Sequence, residues 1–396
     1  MSSIEVKVFE GLEAIEEFSD QWSQLAENTV SPLSVFQTPQ WCLTWLATKE
    51  DAKPVFVTCW ENEALVMLLP LMETKRMGTS VLEFLTIPDC EYCEPLFAEK
   101  ANKSQVLGEA FAYLKKHKQF DVCRFRNVPE LAHDYAAKLS ATNRVGDLEY
   151  SSVYNFQSYS NFEDYMAQRS KSARKSIRKK YNKLETLGDV KVEVFEMSQD
   201  YINRNFKKFS EWKIEWLQQN GLVGGNFAPD ELRAHISKLV NLKDAGFKMM
   251  GAHVVVDGVP QICHLMIEYK GTSFGYLAFR NLELDAYGLG EVLDMETIKY
   301  GFENDLKYMD LMGGPSAYKD KLCNERITLY DYNYSFSLRG QMYILYNLIR
   351  VRETLKAAFY RLPMPIRRAF LWIKKKRLLK PLGVFLIPAT LLWEIM

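Results

Sequence analysis

The sequence predicts an α/β (α+β) protein of two tandem lobes, each a mixed sheet flanked by helices, followed by a helical basic tail. Three observations predict this. The same order of elements, β-α-α-β-β-β-α-β-α-β, occurs twice along the chain. A length of 396 residues exceeds one ordinary domain, and 47% hydrophobic residues suffice for two cores. From Arg339 onward, 12 Lys and Arg face only two Glu. We therefore divide the chain into lobes 1–150 and 151–338 and a tail 339–396.

In the first lobe, runs of alternating or continuous apolar residues predict strands, and apolar residues at helical spacing predict helices. The predicted strands are 4–9, 54–60, 64–72, 81–87, 119–126 and 148–156. The predicted helices are 11–26, 38–48, 104–117 and 130–139. Because no Gly-x-Gly turn precedes the helix at 104–117, we expect this lobe to be degenerate and non-catalytic.

The second lobe repeats that order of elements. Its predicted strands are 190–195, 247–256, 259–269, 273–280, 307–312 and 327–336. Its predicted helices are 200–219, 229–243, 291–304 and 316–325, with a basic helix at 169–184 before them. The pair Asp257-Gly258 between two apolar runs is a strong hairpin signal. Phe206, Phe209, Trp212 and Trp216 recur at helical spacing, which favours a core stripe over a stacking surface.

Cysteine usage and the distribution of apolar residues indicate where the protein works. Seven scattered cysteines fit a reducing compartment better than a disulfide framework. Cys90 and Cys93 form a single CxxC without a second pair, so we expect no metal site. The acidic start of the sequence predicts no signal peptide, and no apolar run reaches the ~20 residues that span a bilayer. We expect a cytoplasmic protein.

A glycine-rich turn opens the helix at 291–304. Gly288, Leu289 and Gly290 form this turn, and Tyr287 and Glu291 flank it. Glycines let backbone N–H groups approach a phosphate, and the positive end of the helix favours an anion. The turn therefore predicts a site for the phosphates of a donor molecule. The alternative is a loop that only needs a positive φ.

Five motifs lie in a fixed order along the chain. They are FQTPQW at 36–41, LLPL at 68–71, the basic helix at 169–188, YGLGE at 287–291 and DLMGGPSAYK at 310–319. Together they resemble the cellulose-biosynthesis (CelD-like) acetyltransferases of the GNAT superfamily, over residues 1 to about 338. That family is similar to the Fem-type peptidoglycan aminoacyltransferases, which also carry two GNAT-like halves.

The resemblance implies an acyltransferase acting on an amine or hydroxyl of a cell-envelope saccharide or its precursor. It implies acyl-CoA as co-substrate and no tightly bound cofactor. Many GNAT proteins carry Arg or Gln three residues before the first glycine of the turn, whereas this sequence has Asp285, which would repel a pyrophosphate. That departure leaves two alternatives open. One is Fem-like transfer from aminoacyl-tRNA, and the other is a non-catalytic component of an exopolysaccharide synthesis complex.

Acyl transfer needs a base for the nucleophile and an acid for the leaving group. Alternation on strand 259–269 places His264 and Glu268 on one face, and either could be the base. The alternative is an interior histidine and a carboxylate at the rim. On the next strand, Tyr276 is a candidate acid or a core residue.

Tyr318 and Lys319 follow the turn Gly313-Gly314-Pro315, where donor and acceptor would meet. Lysine is a compact cation that suits a phosphate or a developing oxyanion. Surface lysines are common, and it is the family resemblance that implies a catalytic role for these two residues.

Two positively charged segments predict anionic partners. The basic helix carries eight Lys and Arg between Arg169 and Lys183, and Lys171, Arg174 and Arg178 share one face. This face predicts an anionic saccharide or lipid-linked acceptor; a solvated surface and a nucleic acid such as tRNA are the alternatives. The tail 339–396 combines basic residues with short apolar runs. It predicts peripheral contact with the inner face of a membrane, or else a helix packed on the lobes.

Overall fold

A computed structural model describes residues 4–86, 89–117, 119–130, 142–220, 227–314, 316, 318–348, 361–363, 365 and 367. The strands are β1 Ile4–Glu10, β2 Pro54–Glu61, β3 Ala64–Arg76, β4 Thr79–Phe84, β5 Leu96–Phe97, β6 Val122–Pro129, β7 Thr142–Asn155, β8 Val190–Glu196, β9 Lys248–Val256, β10 Val259–Tyr269, β11 Thr272–Arg280, β12 Tyr308–Gly313 and β13 Glu325–Ser335. The α-helices are α1 Ser19–Asn28, α2 Pro39–Leu46, α3 Lys103–His117, α4 Phe162–Gln168, α5 Lys171–Leu184, α6 Gln199–Gln219, α7 Pro229–Val240, α8 Leu289–Glu303, α9 Lys319–Leu322 and α10 Leu338–Leu348.

One continuous mixed sheet runs through both halves of the protein. Its strand order is β1-β2-β3-β4-β6-β13-β7-β12-β11-β10-β9-β8, and β5 pairs with β3. The two halves therefore exchange their last strands: β7, from the end of the first half, pairs with β12, and β13 pairs with β6. The boundary predicted at residue 150 falls inside β7. The predicted fold class, two mixed-sheet lobes flanked by helices, is confirmed.

Each half contains one parallel strand pair at which the sheet opens. Val81–Glu83 of β4 pair with Val122–Arg124 of β6, and Thr272–Phe274 of β11 pair with Tyr308–Asp310 of β12. Beyond these three residue pairs the strands diverge. In the second half a bulge adds to the divergence, because Leu265 pairs with Leu277 while Met266 pairs with Gly275, so that Tyr276 is left without a partner.

Several predicted elements agree with the structure. Asp257 and Gly258 both have positive φ in the turn between β9 and β10, as the hairpin signal requires. The helix predicted at 104–117 is α3, and the one at 291–304 is α8. The helix predicted at 316–325 is reduced to the four residues of α9. The helix predicted at 130–139 lies outside the described residues.

Cross-strand partners divide the second half of the sheet into two faces. Cys263 pairs with Phe279 on the face that packs against α6, where the Phe279 and Phe209 rings stack with centroids 5.4 Å apart. Ile262 pairs with Arg280 on the other face, where Ile262 joins the apolar cluster of α8. Phe206, Phe209 and Trp212 of the predicted core stripe are buried. The two helices therefore lie on opposite faces of β11.

Little of the tail is described. Its first turns form α10, whose Tyr343 and Ile344 pack against Val81 and Val122. The greater part of 339–396, on which the membrane prediction rests, lies outside the described residues. Within the described part of the chain, no helix combines the length and apolar character needed to cross a bilayer.

Candidate active site

The end of β11, where it has diverged from β12, borders a cavity of about 500 Å³. Its wall combines residues from α6, β10, β11, the N-terminus of α8 and the segment after β12. The lining residues are Trp212, Lys213, Trp216, Ile262, His264, Ala278, Arg280, Asn281, Asp285, Gly288, Leu289, Gly290, Glu291, Asp294, Ser316 and Tyr318. Both faces of the sheet thus contribute to one cavity, which is large enough for a small ligand.

The predicted glycine turn forms one end of this cavity. Gly288 is the N-cap of α8 and adopts a left-handed conformation, with φ 71°. This backbone favours glycine, and it aims the first N–H groups of the helix at the cavity. At Gly290, an added Cβ would lie 3.8 Å from the nearest atom, on Ile262. Gly288, Leu289, Gly290 and Glu291 line the cavity, whereas Tyr287 is not among the lining residues.

The charge of Asp285 is balanced within the cavity. Its carboxylate lies 3.4 Å from a guanidinium nitrogen of Arg280, at the end of β11. Both side chains are about half exposed, at 48% and 47%. The expected repulsion of a pyrophosphate by Asp285 is therefore offset by a cation that the sequence pattern did not identify.

A buried acid and a histidine face each other in the middle of the cavity wall. The Asp294 carboxylate on α8 lies 4.0 Å from Nδ1 of His264 on β10. Burial raises the pKa of Asp294 to about 7, and burial together with the nearby Arg280 lowers the pKa of His264 to about 4. Near neutral pH the histidine is therefore uncharged, and the aspartate titrates. Such a pair can take a proton from an incoming nucleophile.

Tyr318 lies beside this pair. Its side chain lines the cavity with 47% of its surface exposed, and partial desolvation together with the nearby Asp294 raises the pKa of its hydroxyl. A tyrosine that keeps its proton can donate it to a leaving group. Among the predicted catalytic residues, the cavity thus brings together His264 and Tyr318.

The other predicted catalytic residues lie elsewhere. The Lys319 ammonium donates to the carbonyls of Met312, at 3.1 Å, and Gly313, at 3.0 Å, and so holds the end of β12. Tyr276 donates its hydroxyl to the Asp89 carbonyl at 3.1 Å. Glu268 accepts from Tyr300 at 3.4 Å. None of the three lines the cavity.

The basic helix α5 contacts the glycine turn through residues other than the predicted ones. The Lys180 side chain packs over Gly288 and pairs with Glu291, and Lys183 donates to the Ala286 carbonyl at 2.6 Å. Lys171, Arg174 and Arg178 are exposed and do not line the cavity. Arg174 instead donates to the Ala167 carbonyl, at 2.8 Å, beside the C-terminus of α4. The helix therefore adds positive charge beside the turn.

Sequence reasoning missed Asp294, Lys213 and Arg280. Asp294 carries a signal that could have found it, because it is an ionisable residue between Leu293 and Met295 in a helix that is buried almost all round. Lys213 and Arg280 have no such signal, since neither residue stands out by its spacing in the sequence. Within the described residues, no group of His, Cys, Asp and Glu is arranged to hold a metal ion.

A match to a known protein family indicates the class of this protein. Residues 171–320, which include every lining residue of the cavity, match a protein family described as an acetyltransferase (GNAT) domain. The chain therefore contains a GNAT-superfamily acetyltransferase domain, and the protein is an enzyme of the transferase class. No curated protein matches the chain.

Solved structures share the fold at low sequence identity. FemX is 10% identical, with a TM-score of 0.56 over 83% of this chain and 98% of FemX. The C-terminal domain (DUF2156) of a putative lysylphosphatidylglycerol synthetase from Agrobacterium fabrum is 12% identical, with a TM-score of 0.53 over 85% of this chain and 96% of that domain. A protein of unknown function from Bacteroides thetaiotaomicron is 12% identical, with a TM-score of 0.51 over 83% and 99% of the two chains. At these identities the likeness concerns the fold.

Proposed function

We propose that the protein transfers an acyl group from acyl-CoA to an amine or hydroxyl of a cell-envelope saccharide or its precursor. One observation carries this proposal: the glycine turn of α8, the Asp294–His264 pair and Tyr318 line the same cavity. A phosphate site, a proton acceptor and a proton donor are the groups that acyl transfer from a thioester requires.

The chemistry assigns one step to each group. The acceptor nitrogen or oxygen attacks the thioester carbonyl carbon and loses its proton to the Asp294 carboxylate, beside the uncharged His264. The bond from carbon to sulfur breaks, and the leaving thiolate takes a proton from Tyr318. Tyr318 then regains a proton from solvent, and Asp294 releases its proton to solvent. The transferred acyl group thus ends on the acceptor, with free CoA as the second product. Lys319 supports the site by holding the carbonyls at the end of β12.

A second donor, aminoacyl-tRNA, is favoured by one specific observation. The positive charge at the glycine turn continues along α5, from Lys180 and Lys183 to the exposed Lys171 and Arg178. A polyanion larger than CoA could follow that surface. The fold likeness to FemX is compatible with this donor. We place acyl-CoA first, because the cavity encloses the small-ligand groups while the far end of α5 lies outside it.

The acceptor is proposed from the resemblance to the CelD-like family, which implies exopolysaccharide or cellulose synthesis as the setting. Lys171, Arg174 and Arg178 remain a proposed outer contact for an anionic or lipid-linked acceptor. Contact of 339–396 with a membrane remains a prediction, as does the division into lobes 1–150 and 151–338.

Gly290 offers the sharpest test of the donor site. Gly290→Asp places a carboxylate where backbone must approach a phosphate, so acetyl-CoA binding should fall at least roughly tenfold. Gly290→Ala is the matched control, because its Cβ would make only an ordinary contact with Ile262. Isothermal titration measures both variants, and circular dichroism checks their folding.

Melting temperatures of the wild-type protein test which of the two donors it binds. Acetyl-CoA should raise the melting temperature, since a ligand that binds only the folded state stabilises it. A rise with aminoacyl-tRNA and none with acetyl-CoA would select the alternative donor. Unchanged acetyl-CoA affinity in Gly290→Asp would remove the glycine turn from the site.

A further inference from the structure

The wall of the cavity that α6 provides consists of two aromatic residues and one cation. Trp212, Lys213 and Trp216 all line the cavity. The Lys213 ammonium lies over the Trp216 ring, 4.9 Å from its centroid. Within the described residues, no carboxylate lies within 4.0 Å of that ammonium, so its charge lacks an ion-pair partner there. No step of the proposed chemistry uses this wall.

A second cation faces the same space. Arg280 lines the cavity from β11, and its only close carboxylate among the described residues is the half-exposed Asp285. Burial and then the charge of Arg280 lower the pKa of Lys213, while the charge of Glu91 raises it. Two like charges therefore share a partly dehydrated space. An anion between them would relieve their repulsion.

The position of this wall separates it from the donor turn. Helix α6 packs on the Phe279 face of β11, and α8 packs on the opposite, Ile262 face. The α6 wall therefore reaches the cavity from the side opposite to the glycine turn, across the open end of β11. A molecule there would meet the reacting centre from the other side of the strand.

We propose that Lys213 binds an anionic group of the acceptor, whose ring lies against Trp216, and that Arg280, at the border between this wall and the donor turn, adds a second positive charge. The acceptor class is then an acidic sugar or a sugar phosphate. This assignment rests on the proposed function for the acceptor role, and it places acceptor recognition on α6 in addition to the exposed face of α5. An aromatic side chain offers an apolar surface to a sugar ring, and a cation beside it selects a carboxylate or phosphate.

The test compares charged and neutral sugars on the unliganded full chain. Glucuronate, glucose 6-phosphate and glucose are titrated, and binding is followed by saturation-transfer NMR. We expect both charged sugars to bind roughly tenfold more tightly than glucose. Lys213→Gln should reduce that preference to less than about threefold, with acetyl-CoA affinity unchanged within about twofold.

Lys208→Gln is the matched control. Lys208 lies on the same helix with its ammonium 5.1 Å from the Trp212 ring centroid, but it is not among the residues that line the cavity. Its variant should keep the full preference for charged sugars.

Each other result overturns the assignment. Equal or undetectable binding of all three sugars, or an equal loss in the two lysine variants, would show that no such subsite exists. A tenfold loss of acetyl-CoA binding in Lys213→Gln would assign the cation to the donor instead. Failure of the wild type to bind acetyl-CoA would count against the proposed function, while the sugar titrations would still decide the subsite.

Discussion

The two parallel strand pairs have the same strand arrangement, but different groups occupy the opening beside each pair. Where β4 leaves β6, the Glu83 carboxylate is buried and pairs with Arg76 at 2.7 Å and Arg124 at 3.3 Å. Where β11 leaves β12, the sheet borders the cavity described above. One opening is closed by an internal ion cluster, and the other admits a ligand. The same arrangement of strands can therefore serve as a support or as a site.

The connection that follows each opening explains this difference. After β11, the short 3-10 segment Leu282–Tyr287 leads directly to the glycine turn of α8. After β4, a longer connection leads to α3, and two of its residues contact β12 of the second lobe. Glu91 accepts a hydrogen bond from the Gly313 N–H at 2.6 Å, and the Tyr92 hydroxyl donates to Asp310 at 2.7 Å. The first lobe thus braces β12, the strand that precedes the cavity residues Ser316 and Tyr318.

The largest expected effect lies in the second lobe. Asp294→Asn removes the proposed proton acceptor, so kcat should fall about 10² to 10⁴-fold with acetyl-CoA affinity unchanged. In the wild type, kcat/KM should rise with pH through about 7, because the carboxylate form appears above the pKa of Asp294. Steady-state kinetics across pH measure both, and the variant should lose the rise.

Stability gives this substitution an independent readout. Because the folded-state pKa of Asp294 lies above its ordinary value, the unfolded chain ionises first, and stability falls as pH rises from about 4 to about 7. The asparagine of Asp294→Asn does not ionise, so the variant does not lose stability in this way as pH rises. At pH 8 it should therefore be more stable than the wild type in urea unfolding. The exposed Asp305→Asn is the control and should match the wild type in both assays. A wild-type rate in Asp294→Asn would leave His264 as the base.

The second-largest expected effect is a loss of stability in the first lobe when Glu83 is replaced. Glu83→Ala leaves Arg124 buried without its carboxylate, which should lower the free energy of unfolding by about 3 kcal/mol. Burial raises the pKa of Glu83, but Arg124 and Arg76 outweigh it and hold the pKa below its ordinary value. The wild type should therefore lose this stabilisation as pH falls through that lowered pKa.

Urea unfolding at neutral and acid pH measures the effect of Glu83→Ala. The exposed Glu109→Ala on α3 should stay within about 0.5 kcal/mol of the wild type. If Glu83→Ala were as stable as that control, the ion cluster would not support the first lobe. Equal losses at pH 7 and pH 3 would refute the electrostatic explanation.

The smallest effect concerns the brace between the lobes. Tyr92→Phe removes a buried hydroxyl that donates to Asp310, so the free energy of unfolding should fall by about 1 to 2 kcal/mol. The ring itself remains to fill its place against Phe36 and Phe274. Thermal and urea unfolding test this, with Tyr113→Phe on the outer helix α3 as control. No loss relative to that control would mean that packing alone joins the lobes here.

The sequence predicted what local patterns encode. Alternating apolar runs located the central strands, and a positive-φ dipeptide located the β9–β10 hairpin. The glycine turn of α8 was found because glycines followed by apolar residues at helical spacing identify a helix start directly. The exchange of β7 and β13 was not predicted, because pairing between distant strands leaves no trace in either strand alone.

The sequence predicted only part of the candidate site, because contacts between distant segments leave no local signal there either. His264 was predicted from alternation on its strand and Tyr318 from the family resemblance, and both line the cavity. Glu268 was grouped with His264 by alternation, but its position farther along β10 takes it away from the cavity. Asp294 was not predicted, because apolar spacing does not distinguish it from the other acids of α8, which are Glu291, Glu296 and Glu303. Lys213 and Arg280 meet only through tertiary packing.

The strand exchange sets the order in which the chain can acquire its structure during synthesis. β6 has β4 on one side, but its other edge waits for β13 at the end of the second lobe. The Asn127 N–H finds its partner, Asp331, only 204 residues later. A growing chain thus exposes an unfinished sheet edge until its last strand leaves the ribosome, a hazard for aggregation. Each half thus needs a strand of the other half to complete its part of the sheet.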